Sequence, residues 1–299
     1  MGKTDQMESD TLLKRPSRTA FTTAFMRALL TRELDPDIKG TDYLAKIFLD
    51  KSYLDRIPGP DKLKWARENS NRGAYEYMAA RTNLIDQLFV ACLKKNIPQI
   101  VFLGAGFDTR AWRFENVIKN TQIYELDLPA TQKWKRKCLS DAGIEAKNYV
   151  HFVPTSFNLK SLRFDLAESS YDPKRETFFV WEGVTHYLSE NVVDETFRFI
   201  KENSATRSQV IFDYIYRSVL RGDIEVEGVG AVLDWASKSG EPFKFGIEKG
   251  EIESFLKFRG LKLIKSYAPA DLENEFLRMS TGELYGSTTG FFSFAHAQT

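Results

Sequence analysis

Beyond residue 98 the chain alternates short apolar runs with longer stretches of helical period. The runs are QIVFL (99–103), QIYEL (122–126), a segment near 149–154, TFFVWEG (177–183), SQVIFDYIY (208–216), LKLIKSYA (261–268) and TGFFSFAHA (289–297). Helices are expected between them at 109–119, 129–143, 189–204, 248–258 and 270–279, the second ending at a glycine. Strands alternating with helices predict an α/β fold with a doubly wound parallel sheet of seven strands. Runs that are apolar throughout, rather than alternately, fit strands covered on both faces. Before Pro98 the pattern is helical. Residues 17–34 place Phe21, Phe25, Ala28 and Leu29 at helical spacing. DPDIKGTDYLAKIFL (35–49) reads as a turn and a second short helix, PGPD (58–61) as a turn, and 62–95 as one or two long helices. Residues 1–16 are polar and expected to be mobile. Residues 217–246, rich in glycine and charge, read as a loose insert after the fifth strand.

The first strand breaks directly into Gly104 and Gly106. Glycines let a backbone pass close to a ligand with no Cβ in the way. About twenty residues on, the second strand ends in Glu125 and Asp127, where a Rossmann-like sheet presents an acid to ribose hydroxyls. Glu125 and Asp127 lie on one face of the strand, and either suits that role. A dinucleotide fingerprint needs a third glycine, but position 109 is Thr; a phosphate loop needs a Lys-Ser/Thr pair, and none follows Gly106. A nucleoside cofactor without phosphates remains, and S-adenosylmethionine fits. The missing third glycine also argues against a nicotinamide oxidoreductase.

Composition narrows the rest. At 42% apolar and 28% charged residues the chain is ordinary for a globular domain, and a net charge of +1 leaves no footprint for nucleic acid. Cys92 and Cys138, and His151, His186 and His296, are scattered, so neither a disulfide framework nor a metal site is expected. No run reaches the length of a membrane span. The N-terminus lacks the apolar core of a signal peptide, and Gln6 stands where myristoylation wants Ser or Thr. A cytoplasmic location is expected. The 23 Phe fit core packing or an apolar substrate cavity. No internal repeat is visible.

PSRTA (16–20), LGAGFDTRAWRF (103–114), YELDLPATQKWKR (124–136) and VWEGVTHYL (180–188) resemble, in order and spacing, the leucine carboxyl methyltransferase family. The likeness is to its bacterial branch of S-adenosylmethionine-dependent O-methyltransferases and covers the chain from about Ser17. It implies a class I methyltransferase fold, a single domain over 17–299 whose last strand is antiparallel. Helices in 17–98 and the 217–246 insert would cap the site. The cofactor set it implies is Arg81 for the carboxylate, Gly104 and Gly106 beneath the methionyl part, Asp127 (with Glu125 as its rival) for the ribose, Asn158-Leu159 for the adenine, and Glu182 near the amino group and sulfonium. Asn158 replaces the family's Asp; an amide still accepts from an adenine amino group.

For the acceptor the resemblance implies Tyr187. His186 is the nearest candidate base, Arg18 a further contact, and Tyr214 and Tyr216 weaker ones that serve equally well as core. Eukaryotic relatives methylate a C-terminal carboxylate on a phosphatase, and bacterial ones more often act on natural products, so a small molecule or peptide is expected. A carboxylate acceptor is favoured over a hydroxyl, because a carboxylate is already ionised and needs no base. The rival function is a cofactor-binding protein with lost or sensory activity. Oligomeric state is not legible.

Overall fold

A computed structural model describes residues 16–49, 61–156, 159–223, 229–238 and 240–299. The N-terminal segment expected to be mobile, apart from Pro16, lies outside these residues. The chain opens with α1 (Arg18–Leu30), a 3-10 turn (Ala45–Phe48), α2 (Lys62–Asn69) and α3 (Ala74–Lys94). Thereafter β1 (Gln99–Leu103), α4 (Arg110–Arg113), β2 (Gln122–Asp127), α5 (Pro129–Asp141), β3 (Val150–Pro154), α6 (Leu159–Ala167), β4 (Thr177–Trp181), a 3-10 turn (Thr185–Tyr187) and α7 (Glu190–Glu202) follow. The last part holds β5 (Gln209–Ile215), α8 (Arg217–Arg221), α9 (Val229–Lys238), α10 (Ile252–Phe258), β6 (Lys262–Tyr267), α11 (Pro269–Phe276) and β7 (Phe292–Gln298).

The seven strands form one sheet in the order β3-β2-β1-β4-β5-β7-β6, with β7 antiparallel to both neighbours and β1 to β5 parallel. β1 and β4 are buried at every position, as continuous apolar runs require. Strand order reverses between β1 and β4. In an open parallel sheet that reversal leaves a crevice beyond the carboxyl ends of the strands. The register Leu103↔Leu126 sets the Gly104 turn beside Asp127.

Local chemistry explains the boundaries. Pro129 opens α5 without costing a hydrogen bond. Gly143, with positive φ, closes it while the amide of Ile144 donates back to the carbonyl of Leu139. Between α2 and α3 the chain turns at Gly73 (φ +73°); a Cβ there would lie 2.4 Å from the backbone of Thr288. Residues 62–95 are therefore two helices and not one. The helix expected over 109–119 stops at Arg113 and continues as turns. The supposed loose insert contains α8 and α9, and α6 has no counterpart in the sequence reading. No helix among the described residues is long and apolar enough to cross a membrane.

Candidate functional site

A cavity of about 510 Å³ opens at the carboxyl ends of β1, β2 and β4. Its floor is the turn Gly104-Ala105-Gly106. The amides of Gly104 and Ala105 both donate to the carbonyl of Leu126 at 2.9 Å, drawing the turn onto β2. Both glycines have positive φ, and a Cβ on Gly104 would meet Val184 at 2.4 Å.

Asp127, ending β2, lines this floor. One carboxylate oxygen accepts from the Gly106 amide at 2.6 Å and the other from the Leu128 amide at 2.7 Å. Burial nevertheless pushes its carboxyl up to about 6. Glu125 shares its strand face but not the cavity. Its carboxylate accepts from Lys135 at 2.6 Å, both side chains being almost wholly buried, and burial outweighs that cation to push the carboxyl up to about 7. Of the two acids expected for a ribose, the structure brings Asp127 to the cavity and commits Glu125 to α5.

Across the switch point, Glu182 follows β4 and faces Arg81 of α3. Nε of Arg81 donates to Glu182 at 2.5 Å, and Arg110 donates to its other oxygen at 2.9 Å. Burial disfavours the Glu182 charge, yet Arg81 and Arg110 hold its carboxyl down at about 2. Only Nε of Arg81 is so engaged. Its Nη1 and Nη2 lie over Gly183, where a Cβ would come within 3.0 Å of each. The Arg81 fork thus keeps two donors free, in the geometry that grips a carboxylate bidentately.

The pair belongs to a longer network. Arg27 binds Asp42 at 2.8 Å, Arg113 approaches Asp42 at 3.6 Å and binds Asp86 at 2.7 Å, and Arg110 bridges Asp86, Asp108 and Glu182. None of these eight side chains is more than 11% exposed. Asp108 and Arg110, from the GAGFDTR stretch, tie the glycine turn to the end of β4. Asp213, within β5, braces the same region: it accepts from the Gly183 amide at 2.8 Å and from Tyr77 at 2.9 Å.

Among the residues expected at the acceptor, His186 and Tyr187 sit in the 3-10 turn after β4 and line the cavity. His186 is buried between the edges of Phe243 and Phe292, with ring centroids 4.8 and 5.2 Å away. Burial, with Arg81 adding to it, pushes the imidazole down to about 3, so it is neutral and a poor base throughout the physiological range. Arg18 opens α1 but is exposed and does not line the cavity, although its neighbours Ser17 and Thr19 do. The structure therefore does not bring it together with the other residues expected at the acceptor. Tyr214 and Tyr216 pack together in the interior, away from the cavity. Asn158 lies outside the described residues, and Leu159 is placed only as the start of α6. Among the described residues no group of three or more His, Cys, Asp or Glu side chains is arranged to hold a metal ion.

Sequence reasoning missed Gly183, Asp213, Glu241, Thr289 and the arginine–carboxylate network. Gly183 had a signal, a glycine directly after an acid at a strand end. The others had none, since each gains meaning only from where the fold places it.

The sheet order with antiparallel β7, the glycine turn at the switch point and the strand-end acid define a class I methyltransferase fold. The chain belongs to the leucine carboxyl methyltransferase family, whose model matches residues 20–201, more than half of it. It is 27% identical over 281 residues to the Bacillus subtilis protein named "Putative S-adenosyl-L-methionine-dependent methyltransferase YktD", covering 87% of this chain and 91% of that one. Among solved structures, a "putative methyltransferase" from Thermobifida fusca superposes with a TM-score of 0.60 at 14% identity over 95% of both chains. A DUF574 family protein from Streptomyces avermitilis gives 0.59 at 15% identity over 85% of this chain and 95% of that one. At such identities the two structures bear on the fold alone.

Proposed function

We propose that this S-adenosylmethionine-dependent methyltransferase methylates an oxygen atom of a small molecule held in the outer half of the cavity. One observation carries the reading. The Arg81–Glu182 pair presents two free guanidinium donors over Gly183, in the same cavity as the turn where Gly106 and Asp127 meet. In this reading Arg81 grips an amino-acid carboxylate, Glu182 faces an ammonium or sulfonium charge, and Asp127 accepts from ribose hydroxyls. Arg81 and Glu182 are separated from Asp127 by the glycine turn, so a ligand with an amino acid at one end and a nucleoside at the other suits them. When bound, S-adenosylmethionine supplies a methyl group on a sulfonium, open to in-line attack by an oxygen nucleophile.

The residues of the chain do the positioning, which dominates a displacement of this kind. The aromatic side chains Phe243, Phe292 and Trp235 line the cavity and give it an apolar wall. Neutral His186 donates or accepts a hydrogen bond there without storing a proton. Calorimetry tests the cofactor half: S-adenosylhomocysteine should bind in the micromolar range and NAD should not. Binding of NAD without S-adenosylhomocysteine would overturn the reading. For the acceptor half, labelled methyl groups from the cofactor should appear as an ester or ether in a product from a cell extract; label found only on nitrogen, sulfur or carbon contradicts it.

A further inference from the structure

Three residues that line this same cavity each carry a buried side-chain atom with no hydrogen-bond partner: Nδ1 of His186, Oε2 of Glu241 and Oγ1 of Thr289. His186 and Thr289 are 3% and 5% exposed. Buried polar atoms are nearly always paired, and one left unpaired is costly, so three in one cavity mark a surface completed by something else. None of the three comes from the ends of β1 or β2. They come from the turn after β4, the segment after α9 and the approach to β7, on the side walled by Phe243, Phe292 and Trp235.

Charge narrows what completes the surface. The described charged residues lining the cavity are Arg27, Arg81, Asp108, Asp127, Glu182 and Glu241. Nε of Arg27 is held by Asp42 and Nε of Arg81 by Glu182, and the free edge of Arg81 is taken by the cofactor reading above. Asp108 is bound by Arg110, and Asp127 by two amides. Glu241 has one oxygen on the Ser17 hydroxyl at 3.2 Å and the other on nothing. Its charge reaches Tyr187, whose phenol is pushed well up by burial first and by Glu241 second. A second anion here would find no cation of its own and would face Glu241. A hydroxyl, by contrast, has the hydrogen that Oε2 lacks, and aromatic walls suit a ring.

We propose that Glu241, His186 and Thr289 form the recognition edge of an acceptor pocket for an uncharged, ring-bearing hydroxyl compound, with the Glu241 carboxylate accepting the hydroxyl hydrogen. This rests on the methyl-transfer reading of the cavity and departs from the carboxylate acceptor expected from sequence.

The test compares 2-naphthol with 2-naphthoate, which share a ring and differ in the group that meets Glu241. Binding of each is measured by calorimetry with S-adenosylhomocysteine saturating. The naphthol should bind at least roughly tenfold more tightly, since a like charge left facing another is strongly disfavoured. Glu241→Gln removes the charge at constant shape and should narrow that gap by about tenfold or more, through gain of naphthoate binding. Thr289→Val, which keeps volume, should weaken the naphthol by roughly threefold or more and serves as the second readout should the first variant not fold. Equal binding of the two compounds, an unchanged ratio in Glu241→Gln, an unchanged naphthol affinity in Thr289→Val, or no binding of either compound overturns the proposal. Failure of S-adenosylhomocysteine itself to bind counts against the cofactor reading and is seen separately, before any acceptor is added.

Discussion

The two halves of the cavity differ in how completely they are finished. On the cofactor side most polar groups have an internal partner: Asp127 takes two amides, Glu182 two arginines, Asp108 an arginine. On the acceptor side His186, Glu241 and Thr289 each present a buried atom with none. A site whose groups are fixed by the protein is organised before its ligand arrives, so little is spent on ordering at the moment of binding. A site with open valences depends on its ligand to complete it. The first half is built from strand ends and tight turns. The second is built from the turn after β4, the segment after α9 and the approach to β7, and connecting segments of this kind tolerate change more readily.

The sharpest way to break this contrast is Glu182→Ala. It leaves Arg81 and Arg110 buried without their shared carboxylate, and removing one partner of a buried pair costs about 3–5 kcal/mol. Thermal denaturation should register that loss, together with loss of S-adenosylhomocysteine binding; an unchanged melting temperature would mean that the cofactor side is not held by this pair. Because the Glu182 carboxyl is held at about 2, its contribution is present above the ordinary carboxylate range and disappears as pH falls towards 2.

Asp127→Ala probes the floor more gently. Loss of a charged acceptor should weaken S-adenosylhomocysteine binding by about 1.5–3 kcal/mol with the fold intact. An unchanged dissociation constant would shift the ribose role elsewhere. The carboxyl of Asp127 lies at about 6, so the group is protonated below that pH and cannot accept from two hydroxyls. Affinity should be flat above about pH 6 and fall by up to about tenfold per pH unit below it. The slope should vanish in Asp127→Asn.

Arg81→Lys is the smallest change. Lysine keeps the charge but not the fork, so it should recover only part of the affinity lost in Arg81→Ala. Full recovery would reduce Arg81 to a point charge.

Much of the cofactor side was legible in the sequence, and the reason is geometric. An apolar run that ends in Gly-x-Gly, or in an acid before Pro129, is a local signature of a strand reaching a ligand, so Gly104, Gly106 and Asp127, which the structure brings to the cavity, could be proposed from their neighbours alone. Arg81, Glu182 and Tyr187 needed the family resemblance, because a single charge or phenol on a helix or turn carries no local mark. Glu125 was over-read: spacing put it on the correct face, but only the fold shows Lys135 closing over it. Arg18 stands off the cavity for the opposite reason, since a helix's first residue can point either way. Glu241 and Thr289 were invisible, being defined by partners they lack. The helices α8 and α9 were hidden because charge and glycine masked a short amphipathic pattern.

The chain of ion pairs from Arg27 to Arg81 has a consequence for how the protein meets changes of ionic strength and temperature. Exposed pairs such as Lys137–Asp141 on α5 and Lys238–Asp234 on α9 are screened by added salt, whereas pairs this deeply enclosed are screened far less. The cost of stripping water from such charges also falls as temperature rises. The network joins α1, α3, the glycine turn and the end of β4, so it should keep the floor of the cavity assembled in concentrated salt and on warming. The surface around it, held by pairs that salt dissolves, loosens first.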